Sequence, residues 1–82
     1  MMKPIRVMVD EIYIPVKFRD SLDAAKAEAL AESILEDGLQ APISVRPDKG
    51  RYVLVSGFHR LEASRMLGET AIDAYVVAAR KH

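Results

Sequence analysis

The densest chemistry in this sequence lies in five consecutive residues, Ser56-Gly57-Phe58-His59-Arg60, where a glycine is followed within three positions by an imidazole and a guanidinium. The run before them, 52–55, is aromatic and β-branched and reads as a buried strand. A helical pattern starts at Phe58 and is stopped by Gly68, with Ser56 and Gly57 supplying a cap and a permissive backbone. A strand that runs straight into a helix exposes the first N–H groups of that helix, unpaired and at the positive end of its dipole. Such an end holds anions, phosphate above all. His59 and Arg60 both fall in the first turn. A cation there opposes the dipole at a cost of about 0.3–1 kcal/mol, so Arg60 reads as kept for a partner that carries negative charge. On a plainer reading Arg60 pairs with Asp73, Glu62 or another carboxylate and His59 is an ordinary helix histidine; spacing alone leaves both open.

Composition narrows the chemistry. Half of the 82 residues are hydrophobic, enough for one core and too few for two, so a single domain over 1–82 is expected, near the size where stability is marginal. Twelve basic and twelve acidic side chains cancel, so no general basic field marks the domain for duplex DNA. Without cysteine there is no disulfide, thiolate metal site or thiol nucleophile, and two histidines are too few for a histidine-based metal site. No apolar run approaches the roughly 20 residues of a membrane span, and no signal-like core follows Met1-Met2-Lys3-Pro4. The expected setting is cytoplasmic, with no membrane partner.

The elements that must position the five residues follow in order. Residues 5–9 and 12–14 are β-branched runs that Pro15 ends, and 16–19 read as a loop in which Lys17 and Arg19 flank Phe18. Ser21 is the expected N-cap of a first helix, whose stripe of Ala27, Leu30, Ala31, Ile34 and Leu35 runs to a stop at Gly38. Glu28, Glu32 and Glu36 form an acidic ridge on that helix, either a solvated face or a docking surface for something basic. The alternating run 43–46 and the turn residues 47–50 predict a hairpin with the strand at 52–55. A last strand at 72–77 and a short basic tail complete an α+β domain, a small mixed sheet with about two main helices.

Taken together, the segments Leu30-Ala31-Glu32-Ser33-Ile34-Leu35-Glu36-Asp37-Gly38-Leu39, Pro42-Ile43-Ser44-Val45-Arg46, Gly57 to Ala63 and Leu67-Gly68 resemble, in order and spacing, the ParB/sulfiredoxin-like superfamily and within it the ParB N-terminal domain. The resemblance implies a nucleotide pocket. The stretch matching Gly38, Gln40 and Pro42 would contact base and ribose, and that matching Ser56, Gly57, His59 and Arg60 would cradle the phosphates of a nucleoside triphosphate such as CTP or ATP with magnesium. Arg19 stands at the place of a family arginine. Phe58 stands where partition proteins carry a glutamate and sulfiredoxins their catalytic cysteine, so hydrolysis by the family's route and sulfinic acid repair are not expected. The helix-turn-helix and dimerisation domains that follow in partition proteins are not found in this sequence.

Three functions are then open. One is a nucleotide-binding regulatory module associated with partition or transcription, acting with DNA through a longer chain or a partner, and able to form a homodimer. A second is a magnesium-dependent nuclease or nucleotide hydrolase, with His59 as acid or base and Glu62 or Asp73 as metal carboxylate. The third is a DNA-associated accessory domain with a degenerate pocket, using Arg46, Arg51, Arg60 and Arg65.

Overall fold

The computed structural model describes residues 3–38 and 41–78. Strands β1 (Ile5–Met8), β2 (Ile12–Tyr13), β3 (Ile43–Asp48), β4 (Arg51–Ser56) and β5 (Ala71–Val76) form one sheet in the order β1-β5-β3-β4-β2. β1 with β5 and β3 with β4 are antiparallel, whereas β3 with β5 and β2 with β4 are parallel. The helices are α1 (Val16–Arg19), α2 (Ala24–Asp37) and α3 (Phe58–Met66). This is the α+β architecture with a mixed sheet and two main helices that the sequence predicts.

Side-chain alternation along the strands decides what each face buries. Val7 lies opposite Ile72 and Val45 opposite Leu54, and these residues form the core with Ile12, Ile43 and Ala74. Phe58 and Leu61 of α3 belong to the same cluster, so α3 covers this face. α2 in turn packs on α3, and Ala27 and Ala31 of α2 and Ala63 and Ser64 of α3 are all buried. Small side chains at these places let the two helices approach closely.

Three local expectations need correction. Residues 16–19 form the helical turn α1, its first residue following Pro15, whose fixed φ suits the residue before a helix. The N-cap of α2 is Asp23, whose carboxylate accepts from the Lys26 amide at 3.2 Å; Ser21 instead donates its hydroxyl to the Phe18 carbonyl at 2.8 Å. Both residues are capping types two positions apart, and Asp23, with an extended backbone at φ −114° and ψ 102°, serves as the cap. The hairpin loop is also shorter than expected. Pro47 and Asp48 belong to β3, and the loop is Lys49-Gly50, with φ of 50° and 80°. Two successive positive φ values give the loop whose twist matches the strands. Pro47 fits in β3 because pairing with β5 spans only Ile43 to Val45 and asks no amide of it.

Candidate functional site

The turn between β4 and α3 rests directly on β3. Gly57 has φ 96° and ψ 29°, and a Cβ placed there would lie 2.7 Å from Ile43 Cγ2 and 3.2 Å from Ile43 Cα. Only glycine meets both demands, the left-handed backbone and the close approach. The capping role expected of Ser56 is not realised: Gly57 is itself the N-cap of α3 and no side chain caps the helix. The first amides of α3 therefore have no side-chain acceptor, as an anion seat requires.

A depression of about 380 Å³ opens at this point. One wall is the α3 start, from Ser56 to Arg60; the other carries Phe18, Ser21, Lys26 and Leu30. Arg60 is half-buried and in no ion pair among the described residues, since Asp73 is held by Arg6 at 3.0 Å and Glu62 faces a different groove. Among the described residues Arg60 therefore lacks the carboxylate partner of the plainer reading. Lys26 is the residue that sequence reading missed. It brings a second cation to the seat only because α2 packs on α3, a tertiary fact with no local signal beyond a lysine in a first helical turn.

His59 has a structural partner. The Asp23 amide donates to its Nε2 at 3.1 Å, so the proton of the neutral ring is on Nδ1. With Asp23 capping the Lys26 amide, this contact ties the first turn of α3 to the first turn of α2. Phe58 is 6% exposed and part of the core, its ring 5.8 Å from Phe18 and 5.6 Å from the His59 ring.

The other expected residues are dispersed. Arg19 and Glu62 line a second groove of about 490 Å³ with Tyr13, Arg51 and Arg65, where the Arg51 guanidinium lies 4.2 Å over the Tyr13 ring. His59 and Glu62 are thus not brought together as an acid–base pair. Gly38 ends α2 in the left-handed conformation, its amide bonded to the Ile34 carbonyl at 2.8 Å, and Pro42 leads into β3. Neither lines the depression, and Gln40 lies outside the described residues. Of the four arginines considered for DNA, Arg60 is at the seat, Arg51 and Arg65 are in the second groove and Arg46 is in a third. No carboxylate lines the seat, and no group of three histidine or acidic side chains among the described residues could hold a metal ion. Among the described residues the depression therefore offers no carboxylate ligand for magnesium. No helix among the described residues is long and apolar enough to cross a membrane.

The sequence profile of the ParB N-terminal domain matches residues 3–82. The probable chromosome-partitioning protein ParB of Helicobacter pylori is 36% identical over 74 residues, which are 89% of this chain and 26% of that protein. The chain thus spans about a quarter of the length of that relative. The crystal structure of sulfiredoxin from Arabidopsis thaliana superposes with a TM-score of 0.82 at 32% identity, covering 94% of this chain and 86% of that one. The C-terminally truncated chromosome-partitioning protein ParB from Caulobacter crescentus, complexed with CTP-gamma-S, gives a TM-score of 0.81 at 24% identity over 96% of this chain and 46% of that one, a likeness of fold. Fold, motif order and profile agree, and the chain belongs to the ParB N-terminal domain family.

Proposed function

We propose that this domain binds a nucleotide and seats its phosphates at the start of α3, as a regulatory module of partition or transcription. One observation carries the reading: Arg60 and Lys26, from two different helices, enter one depression at an uncapped helix start, and no carboxylate lines it. Two cations beside the positive end of a dipole repel each other and the helix, and an anion relieves all three terms at once. Phe18 and Leu30 add an apolar wall suited to a nucleoside. The CTP-gamma-S held by the Caulobacter crescentus protein supports a nucleoside triphosphate, CTP or ATP, as the ligand class.

Binding without turnover is the form proposed. The His59 Nε2 is occupied by the Asp23 amide, Glu62 faces another groove, and the position that could carry a glutamate or a thiol is the core residue Phe58. The seat has no group placed to polarise water. Any magnesium would be held by the phosphate oxygens and water rather than by this chain.

Calorimetric titration with CTP, ATP and GTP, with and without magnesium, tests the reading. One nucleotide is expected to bind, with no release of inorganic phosphate. Arg60→Ala and Lys26→Ala each remove a charge-assisted contact worth about 1.5–3 kcal/mol, so affinity should fall roughly 10- to 100-fold. Unchanged affinity in Arg60→Ala would overturn the assignment.

A further inference from the structure

Two features destabilising to an isolated helix and one exposed apolar side chain share the surface of α2. Glu28, Glu32 and Glu36 repeat at i, i+4, where like charges repel. Glu36 and Asp37 stand at the negative end of the dipole, and no basic residue occupies the last turn. Between these acids Leu35 is 73% exposed. A cationic surface with an apolar centre would offset all three.

The molecule carries such a surface elsewhere. A groove of about 760 Å³ has Lys17 and Arg46 as its only charged lining residues, with Val53, Val55 and Val77 between them. Neither cation is in an ion pair among the described residues. Arg46 lies opposite Val53 in register, so both point away from the face where Val45 and Leu54 meet α3. The groove is thus complementary to the α2 ridge in charge and to Leu35 in polarity, and it lies on the sheet face turned away from α2 and α3, where α1 supplies Lys17.

We propose that this groove receives α2 of a second copy of the chain. Glu32 and Glu36 of one copy meet Lys17 and Arg46 of the next, and Leu35 covers Val55 and Val77 between them. Ridge and groove are different surfaces on opposite sides of the sheet, so the contact is heterologous and each copy added leaves one of each free. Association is therefore head-to-tail and independent of the nucleotide seat, which uses neither surface.

Sedimentation of the chain over a dilution series tests this. At low salt, where the Debye length is about 30 Å, mass should rise in steps above the 9.1 kDa monomer, and it should return to monomer above ~0.1 M salt, where that length is about 10 Å. Glu32→Lys with Glu36→Lys, and separately Lys17→Glu with Arg46→Glu, should each be monomeric with an unchanged circular dichroism spectrum. Mixing the two variants should restore association, because each then presents what the other lacks. Lys17→Glu alone, at an exposed residue, replaces the second variant should Arg46→Glu unfold. A wild-type chain that stays monomeric at low salt, association that survives either reversal, or a mixture that stays monomeric would each overturn the proposal.

Discussion

Gly57 does two jobs with one missing methyl group. Its φ of 96° aims β4 into α3, and its lack of a Cβ lets the turn sit on Ile43. Gly38 and Gly68 also have positive φ, but a Cβ at either would meet nothing within 4 Å. Replacing them strains only the backbone. Gly57→Ala adds overpacking to that strain, at about 1–2 kcal/mol for a left-handed alanine and about 1–3 for the clash. We expect Gly57→Ala to lose about 2–5 kcal/mol in urea unfolding and Gly68→Ala only the backbone part, about 1–2; equal losses would show that Ile43 gives way freely. His59 shows the limit of reading such residues one at a time. Sequence placed it at the phosphates, and the structure finds its Nε2 bound to the amide that begins α2. A histidine in a first helical turn looks the same in sequence whether it faces a ligand or a neighbouring helix.

At the scale of elements, the seat depends on how closely α2 approaches α3. Ala27 is fully buried, and α3 is the element against which α2 makes its main packing. Ala27→Leu should overpack that contact, costing about 1–3 kcal/mol. Because Lys26 is the preceding residue, the same change should also move it away from Arg60. The expected result is lower stability together with weaker nucleotide affinity; reduced stability with unchanged affinity would mean that Lys26 does not act at the seat. This dependence also explains what was legible beforehand. The stripe of Ala27, Ala31 and Ile34, the stop at Gly38 and the hairpin glycine are local signals, so α2, α3 and the β3–β4 pair could be read from the chain. α1 could not, because one turn shows no periodicity and Val16 and Phe18 look like strand or loop. Arg19 was grouped with the phosphate contacts by the family resemblance, and α1 turns it into the second groove. Lys26 was overlooked because it lines the depression at the seat only once two helices meet.

For the whole molecule, 82 residues correspond to about 4–12 kcal/mol of stability. A bound ligand is a large term against that. At 100 times its dissociation constant a nucleotide adds about 2.7 kcal/mol, and a domain of this size moves its melting temperature by roughly 4–8 °C per kcal/mol. Saturating nucleotide should therefore raise the Tm by about 10–20 °C. Two independent quantities can then be separated in one variant. Arg60 is half-buried, unpaired among the described residues and outside the hydrophobic core, so Arg60→Ala should keep the ligand-free Tm within a few degrees. The shift on adding nucleotide should shrink in that variant, because the 10- to 100-fold loss of affinity enters the stabilisation logarithmically and removes about 1.3–2.3 kcal/mol at the same ligand concentration. A shift that survives intact in Arg60→Ala would place the nucleotide elsewhere on the molecule. A collapse of the ligand-free Tm would instead make Arg60 part of the scaffold, and the charge at the start of α3 would then be explained by folding alone.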